Sequence, residues 1–240
     1  METILRSKTQ EVIVSPEMAT VIIGERINPT GKKLLAESLV KRDMSRVRRL
    51  AQSQLANGAT VLDVNVGAAG VNEVEVLPLA VKAVMEITDA PLCLDSANPD
   101  ALRAALDVYE GKALINSVNG EEAKLKAILP LVKEYGAAVI ALAMDDNGIP
   151  ATAQGRVAVV HKIVERAEAL GISRADIIVD CLALSVCSDS IAAVTTLEAI
   201  RGVRAELGLN MTLGASNISF GLPDREAINE AFWRWPSPLA

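Results

Sequence analysis

The segment TVLDVNVG, at residues 60–67, decides the fold, because it is a short apolar run that ends in polar side chains. Six further runs of this kind recur along the chain. They are rich in Val, Ile and Leu and mostly unbroken, as strands buried in a parallel sheet are. The six are TVIIGERIN (20–28), PLCLDSAN (91–98), KALINSVN (112–119), AVIALAMDD (138–146), DIIVDCLA (176–183) and MTLGASN (211–217).

Amphipathic stretches between these runs predict helices. Apolar residues spaced three or four apart predict one helix from about Leu39 to Leu55. The tripeptide Asn-Pro-Asp at 98–100 combines an N-cap, a proline in the first turn and an acidic residue. Asn119, followed by two glutamates, indicates another helix start, and Thr195 or Thr196 is expected to open a third helix.

Seven strand–helix repeats fit two architectures, an open doubly wound sheet or a closed (β/α)8 barrel. Every run ends in polar residues, and a barrel brings all of those ends to one mouth, whereas an open sheet gathers only those beside its switch point. No Gly-x-Gly-x-x-Gly follows the first strand. The sequence therefore predicts an α/β, TIM-type barrel whose eighth repeat is truncated. We expect one domain over residues 1–240, with an N-terminal extension at 1–17 and an atypical tail at 233–240.

The composition of the chain argues against several classes of function. Half of the 240 residues are apolar, the formal net charge is -6 and six residues are aromatic, which argues against nucleic-acid binding. No uninterrupted apolar stretch predicts a membrane span, and we expect a cytoplasmic protein. Cys93, Cys181 and Cys187 are expected to be buried free thiols. The single histidine, His161, is expected on an outer helix, so neither histidine-based catalysis nor a bound metal is predicted.

The strand ends carry carboxylates and amides with few cations nearby, Arg26 and Lys32 being the nearest expected. Such a mixture suits a neutral heterocycle with several N–H donors and ring-nitrogen acceptors. The alternative is that these residues only cap helices or close turns, and for Asn98, Asn119 and Asp146 we expect capping. The polar strand-end residues are Glu25, Asn28, Asp63, Asn65, Asp95, Asn98, Asn116, Asn119, Asp145, Asp180, Ser216 and Asn217.

At these residues the sequence resembles a known family. The motifs GERINPTG (24–31), LDVNVG (62–67), CLDSAN (93–98), INSVN (115–119) and LGASNISFGLPDR (213–225) are similar, in order and spacing, to the pterin-binding corrinoid methyltransferases. These include methyltetrahydrofolate:corrinoid protein methyltransferases and the folate module of cobalamin-dependent methionine synthases. Dihydropteroate synthases are more distant relatives. Their Ser-Thr-Arg-Pro-Gly and Asp-Ser-Phe-Ser segments are replaced here by VGAAG (66–70) and GKKL (31–34).

The resemblance implies a role for each strand-end residue. Asp180 would accept the 2-amino and N3–H edge of the pterin, Asp95 would bind the ring and Asn116 would reach its ring nitrogens. Asn217 would lie beside N5, the atom that carries the methyl group, and would act in catalysis by donating a hydrogen bond. The pterin-binding set implied is Asp63, Asn65, Asp95, Asn116, Asp180, Gly214, Ser216 and Asn217.

The resemblance also implies a reaction. The N5 methyl group of 5-methyltetrahydrofolate would pass to the Co(I) centre of cobalamin, or in reverse. The chain has no Asp-x-His-x-x-Gly corrinoid motif, so a separate corrinoid protein would carry the cobalamin. A homodimer is expected, with Trp233 and Trp235 sealing the open seam of the barrel or joining subunits. The alternatives are a dihydropteroate synthase-like pterin enzyme and a non-catalytic pterin-binding protein with a degenerate barrel.

Overall fold

A computed structural model describes residues 1–234 as an α/β protein. All seven strands predicted from the sequence are present, and two short strands precede them. The strands are β1 (Thr3–Arg6), β2 (Glu11–Val14), β3 (Ile23–Ile27), β4 (Val61–Asn65), β5 (Leu92–Asp95), β6 (Leu114–Asn119), β7 (Ala138–Leu142), β8 (Ile177–Asp180) and β9 (Asn210–Thr212).

Strands β3 to β9 form one parallel sheet in which the order of the strands is their order in the chain. A doubly wound sheet reverses its strand order at a switch point, so that alternative is wrong. Sequential parallel strands joined by helices are the arrangement of the (β/α)8 barrel class, which confirms the predicted fold class. Within residues 1–234 the sheet has seven strands.

Eight helices occur in the described part of the chain, and none of them is both long and apolar enough to cross a membrane. Asn98 is the predicted N-cap, since its side-chain oxygen accepts a hydrogen bond from the Asp100 amide. The helices are α1 (Lys33–Val40), α2 (Ser45–Ala56), α3 (Glu73–Met85), α4 (Pro99–Leu106), α5 (Glu122–Tyr135), α6 (Ala153–Ala169), α7 (Ala192–Leu207) and α8 (Arg225–Arg234).

Two helix predictions were wrong. The helix expected from Leu39 to Leu55 is two helices, because the backbone of Arg42 takes a φ of 56°, in the left-handed region, between them. The apolar spacing continues across this break, so periodicity alone cannot reveal it. Helix α7 begins before the expected Thr195 or Thr196. The Thr196 hydroxyl donates to the Ala192 carbonyl, 2.9 Å away inside the helix, instead of capping it.

The chain divides into two compact units, each with its own apolar interior. The first comprises Glu2–Ser117 and Ala127–Val139, and the second comprises Met1, Val118–Lys126 and the described chain from Ile140 onwards. Fully buried side chains of the first unit include Val61, Leu62, Val64, Leu92 and Leu94. Those of the second include Val160, Ile163, Ile177, Val179 and Val203. Trp235 and the side chain of Trp233 lie outside the described residues.

The segment predicted as an N-terminal extension folds as an antiparallel hairpin of β1 and β2. Its Leu5 side chain is fully buried in the first unit. The hydroxyl of Tyr109 links the hairpin to β5, because it donates to the Arg6 carbonyl at 2.8 Å and accepts from the Leu92 amide at 3.1 Å. One buried side chain thus satisfies two backbone groups of β1 and β5.

We predict that Tyr109→Phe destabilises the protein by about 1–3 kcal/mol, because it leaves the buried Leu92 amide without its partner and removes one of the two donors to the Arg6 carbonyl, which the Lys112 amide still binds. The melting temperature should fall by about 2–4 °C per kcal/mol. The matched control is Tyr135→Phe, since that hydroxyl contacts only exposed side chains of the same unit, Asp107 and Arg103. Equal melting temperatures for the two variants would contradict the role assigned to Tyr109.

Candidate active site

Polar residues of three neighbouring strands meet at one edge of the first unit. In the parallel register Asn65 of β4 pairs with Asp95 of β5, and Asp95 pairs with Asn116 of β6. Asp63 lies two residues before Asn65, so its side chain points to the same face of the sheet. The structure therefore brings together four of the residues predicted from the sequence.

Each of the two carboxylates, Asp63 and Asp95, is hydrogen-bonded to a side-chain amide. Asn116 Nδ2 donates to Asp63 Oδ2 at 3.1 Å. The side-chain oxygen of Asn65 accepts from the Gly67 amide at 2.8 Å, and its side chain also hydrogen-bonds to Asp95. The amides are thus held by the carboxylates and by backbone, which fixes the direction in which each of these side chains points.

Burial sets the protonation of the two carboxylates. Asp63 is 4% exposed, and desolvation followed by the charge of Asp95 raises its pKa to about 7. Desolvation also raises the pKa of Asp95, opposed by the hydrogen bond from Asn65 and aided by the charges of Glu73 and Glu25. The Asp63 carboxyl can therefore be protonated or ionised near neutral pH, which lets it either donate or accept a hydrogen bond.

Two residues at this edge, Ser96 and Glu73, were missed by the sequence reasoning. Ser96, directly after β5, donates to the carboxylate of Glu73 at 2.5 Å, and Glu73 lies in the first turn of α3. Glu25 of β3 acts on both aspartates through its charge. A glutamate in a first helical turn is common for reasons of helix stability, so its position gave no separate signal. Among residues 1–234 no group of three or more His, Cys, Asp or Glu side chains is arranged to hold a metal ion.

In the second unit, Asp180 ends β8 and is held by the residue two positions later. Its Oδ1 accepts from the Leu182 amide at 2.7 Å. Leu182 has a φ of 61°, a left-handed conformation that costs a side-chain-bearing residue about 1–2 kcal/mol. Desolvation raises the pKa of Asp180 to about 6, although this hydrogen bond and the charge of Arg156 lower it.

The prediction that Arg26 and Lys32 are the nearest cations to the strand ends was wrong, because Arg156 of α6 lies beside Asp180. Its side chain is 1% exposed, and its guanidinium donates to the carbonyls of Cys181 at 2.8 Å and Leu182 at 2.9 Å. Sequence gives no signal for this, since an arginine near the start of an amphipathic helix is normally solvent-exposed.

Asn217 lies in a 3₁₀ turn, Ala215–Ser219, that follows β9, and its side chain is exposed. Gly214 precedes the turn, and a Cβ atom at this position would lie 3.0 Å from Asn217 Nδ2. Gly214 therefore leaves room for the Asn217 amide. Arg225 of α8 donates to the Ser216 carbonyl at 2.9 Å and so holds the turn from its other side.

The structure confirms some of the remaining sequence predictions and contradicts one. Asp145 closes a local turn by accepting from the Asn147 amide at 2.9 Å. Asn119 accepts from the Glu121 amide at 3.1 Å, as its expected capping role requires. His161 lies on α6, as expected, with Nε2 2.8 Å from Glu206 Oε2. Cys93 and Cys181 are buried, but the prediction was wrong for Cys187, which is exposed.

The family model described as pterin binding enzyme matches residues 24–235. This chain belongs to the pterin-binding enzyme family. The family resemblance predicted from the five motifs is therefore confirmed. The match includes every strand-end residue named above.

Curated relatives of this pterin-binding chain carry two kinds of name. A methylcorrinoid:tetrahydrofolate methyltransferase of Eubacterium limosum is 33% identical over 218 residues, which are 88% of this chain and 79% of the relative. A methionine synthase of Mycobacterium leprae (strain TN) is 31% identical over 227 residues, 89% of this chain. The chain spans only 19% of that methionine synthase. The predicted relationship to methyltransferases is confirmed.

Solved structures of dihydropteroate synthase share the fold. The enzyme of Xanthomonas albilineans with 4-aminobenzoic acid gives a TM-score of 0.70 at 20% identity, over 98% of this chain and 89% of that one. A second structure of that enzyme, with 6-chloroguanine and indole-2-carboxylic acid, gives a TM-score of 0.65 at 18% identity, over 94% and 86%. At these identities the similarity establishes the fold alone.

We predict that Asp63→Asn stabilises the unliganded protein at pH 8 but not at pH 4. The raised pKa means that the folded state binds this proton more tightly than the unfolded state, so stability is lost as the pH rises from about 4 through about 7. An amide cannot ionise and avoids this loss, and a gain of about 1–3 kcal/mol is expected.

Thermal melting from pH 4 to pH 8 measures this difference. The exposed Asp146→Asn variant is the control, because it removes a carboxylate without removing a buried charge. A stability gain for Asp63→Asn that is the same at pH 4 and pH 8 would show that the ionisation of Asp63 is not its source.

Proposed function

We propose that this chain is a methyltransferase that moves a methyl group between N5 of tetrahydrofolate and the cobalt of a corrinoid held by a separate protein. The observation that carries the proposal is the 33% identity to the Eubacterium limosum methylcorrinoid:tetrahydrofolate methyltransferase, over 79% of that protein. The similarity to part of a methionine synthase supports the same reaction class.

The pterin ring is bound, in this proposal, by the amide-matched carboxylates of the first unit. A pterin ring presents N–H groups, which an ionised carboxylate accepts, and ring nitrogens, which an amide N–H reaches. Asp63 and Asp95 supply the carboxylates, and Asn65 and Asn116 supply the amides. Buried polar groups of this kind bind strongly only to a ligand that satisfies them, which gives selectivity for the pterin edge.

In the second unit, Asp180 accepts the 2-amino and N3–H groups of the pterin, as the resemblance at the motif IVD implies. The burial of Asp180 favours its neutral form. A ligand that offers N–H donors opposes this effect, because hydrogen bonds to the carboxylate favour the ionised form. Gly214 and Ser216 shape the wall beside Asn217.

Asn217 is the catalytic residue of the proposal. A tertiary amine is a poor leaving group, so charge must be stabilised at N5 as the methyl group departs. The Asn217 amide donates a hydrogen bond to N5 that strengthens as this charge grows, and it thereby stabilises the transition state more than the ground state. The same hydrogen bond serves transfer in the opposite direction, because both directions pass through one transition state.

The corrinoid, when its carrier protein is bound, supplies the Co(I) nucleophile or the methylated cobalt. This chain's own part is to hold the pterin so that the methyl-bearing nitrogen faces the partner, and positioning of this kind lowers the barrier. The expected homodimer and cytoplasmic location stay predictions.

Methyl transfer by the wild-type chain tests the proposal directly. The chain is mixed with methyltetrahydrofolate and a reduced corrinoid protein, and the conversion of Co(I) to methylcobalt is followed by visible absorbance. Folate binding without conversion would favour a non-catalytic pterin-binding protein. Condensation of a pterin diphosphate with 4-aminobenzoate instead of conversion would favour the dihydropteroate synthase-like alternative.

We expect Asp180→Asn to weaken methyltetrahydrofolate binding by about 1.5–3 kcal/mol, the range for a hydrogen bond to a charged group. Titration calorimetry at pH 7.5 measures the change. Asp176→Asn, four residues earlier in the same unit, is the control. Unchanged affinity in Asp180→Asn would remove Asp180 from the site.

We expect Asn217→Ala to lower the rate of methyl transfer by a larger factor than it lowers the affinity for methyltetrahydrofolate. Rapid-mixing kinetics give the rate and calorimetry gives the affinity. Asn147→Ala, an exposed turn residue of the same unit, controls for loss of an asparagine elsewhere. Equal losses of rate and affinity would make Asn217 an ordinary binding residue.

A further inference from the structure

Arg156 is a buried arginine whose hydrogen bonds go to neutral groups. Its side chain is 1% exposed, and desolvation lowers its pKa. Besides the carbonyls of Cys181 and Leu182, the guanidinium reaches Thr196 Oγ1 at 3.1 Å and the Pro150 carbonyl at 3.1 Å. Burying a cation among neutral acceptors is unfavourable unless its charge or its shape is needed at that place.

Two of the three carbonyls that Arg156 binds, those of Cys181 and Leu182, belong to the turn that holds Asp180. Leu182 contributes both the carbonyl that binds the guanidinium and the amide that donates to Asp180 Oδ1 at 2.7 Å. Its left-handed backbone, with φ at 61°, sets the direction of the Leu182 carbonyl, which Arg156 binds, relative to this amide. Because that conformation is unfavourable for leucine, contacts from outside the turn are needed to maintain it.

Arg156 also provides the charge that opposes the burial of Asp180. Asp180 faces Arg156 from α6 and the Cys181 thiol next to it in the chain, whose pKa burial raises to about 12. The acidic groups that act on Arg156 are Asp180 and Asp189. At neutral pH the guanidinium is thus the positive charge that acts on the Asp180 carboxylate.

We propose that Arg156 is a positioning residue that keeps Asp180 ionised and oriented for its ligand, through its charge and through the two carbonyls it holds. The role in folate binding rests on the proposed function, whereas the effect on Asp180 does not. A planar guanidinium is suited to both tasks, because it offers five donors in a fixed geometry and stays charged when buried.

Two substitutions separate the charge from the geometry. Arg156→Met removes both, and the pKa of Asp180 should rise by about one unit, the lower end of the effect of a nearby opposite charge. Arg156→Lys keeps the charge, so the pKa of Asp180 should remain near its wild-type value. The lysine cannot reproduce the planar set of contacts, so the orientation of Asp180 should still be impaired.

The first measurement uses the unliganded full chain. Carbon-13 NMR of labelled aspartate carboxyl groups, with Asp180 assigned by its loss in Asp180→Asn, gives its titration midpoint in each variant. Arg166→Met is the matched control, since Arg166 lies on the same helix and pairs with the exposed Glu122 at 3.0 Å. A higher midpoint in Arg156→Met alone is expected. An unchanged midpoint there, or a rise of one unit in Arg156→Lys, overturns the proposal. If Arg156→Met fails to fold, the expected loss of affinity in Arg156→Lys, measured below, still tests the positioning role.

The second measurement is calorimetric titration with methyltetrahydrofolate from pH 5 to pH 8.5. In Arg156→Met the affinity should fall about fivefold more at pH 6 than at pH 8.5, because less Asp180 is ionised at pH 6. In Arg156→Lys the affinity should be reduced by a similar factor at every pH. A loss in Arg156→Met that does not depend on pH overturns the proposal. A wild-type chain that does not bind the folate overturns the proposed function, while the NMR result still tests the effect of Arg156.

Discussion

The burial of carboxylates beside one another is the constraint on which the candidate site depends. Asp63 and Asp95 occupy neighbouring strands of a parallel sheet, where desolvation and mutual repulsion both oppose ionisation. Such a pair is tolerated only where other groups donate hydrogen bonds to it. The amides of Asn116 and Asn65 do so, and this requirement explains why carboxylates and amides alternate at these strand ends.

In the second unit, a buried carboxylate is stabilised by different groups. Asp180 is stabilised by a backbone amide and by the charge of Arg156. The cation is itself buried, and its cost is offset by four neutral acceptors around it. Amide partners leave a carboxyl group free to bind a proton near neutral pH, whereas a fixed positive charge favours the ionised form. The two units therefore stabilise their buried carboxylates with different kinds of partner.

Much of the fold was predictable from sequence because the buried strands lie in short apolar runs that end in polar residues. The run VLDVN, for example, is β4 in full. Asp63, Asn65, Asp95 and Asn116 were predictable for the same reason, since parallel register places the strand ends together. Arg156 was not, because an inward-facing arginine depends on acceptors from distant segments. The break at Arg42 escaped detection because one left-handed residue leaves the apolar spacing unchanged.

The raised proton affinity of Asp63 has a calorimetric consequence. Near neutral pH part of the population holds this proton, so a ligand that requires the ionised carboxylate must release it to solvent. The buffer then takes up the proton and contributes its own heat of ionisation to the measured signal. Titrations in phosphate and in Tris, two buffers with very different ionisation enthalpies, would therefore give different apparent heats for the same binding event. The difference between the two apparent heats, relative to the difference between the two ionisation enthalpies, gives the number of protons released from the site.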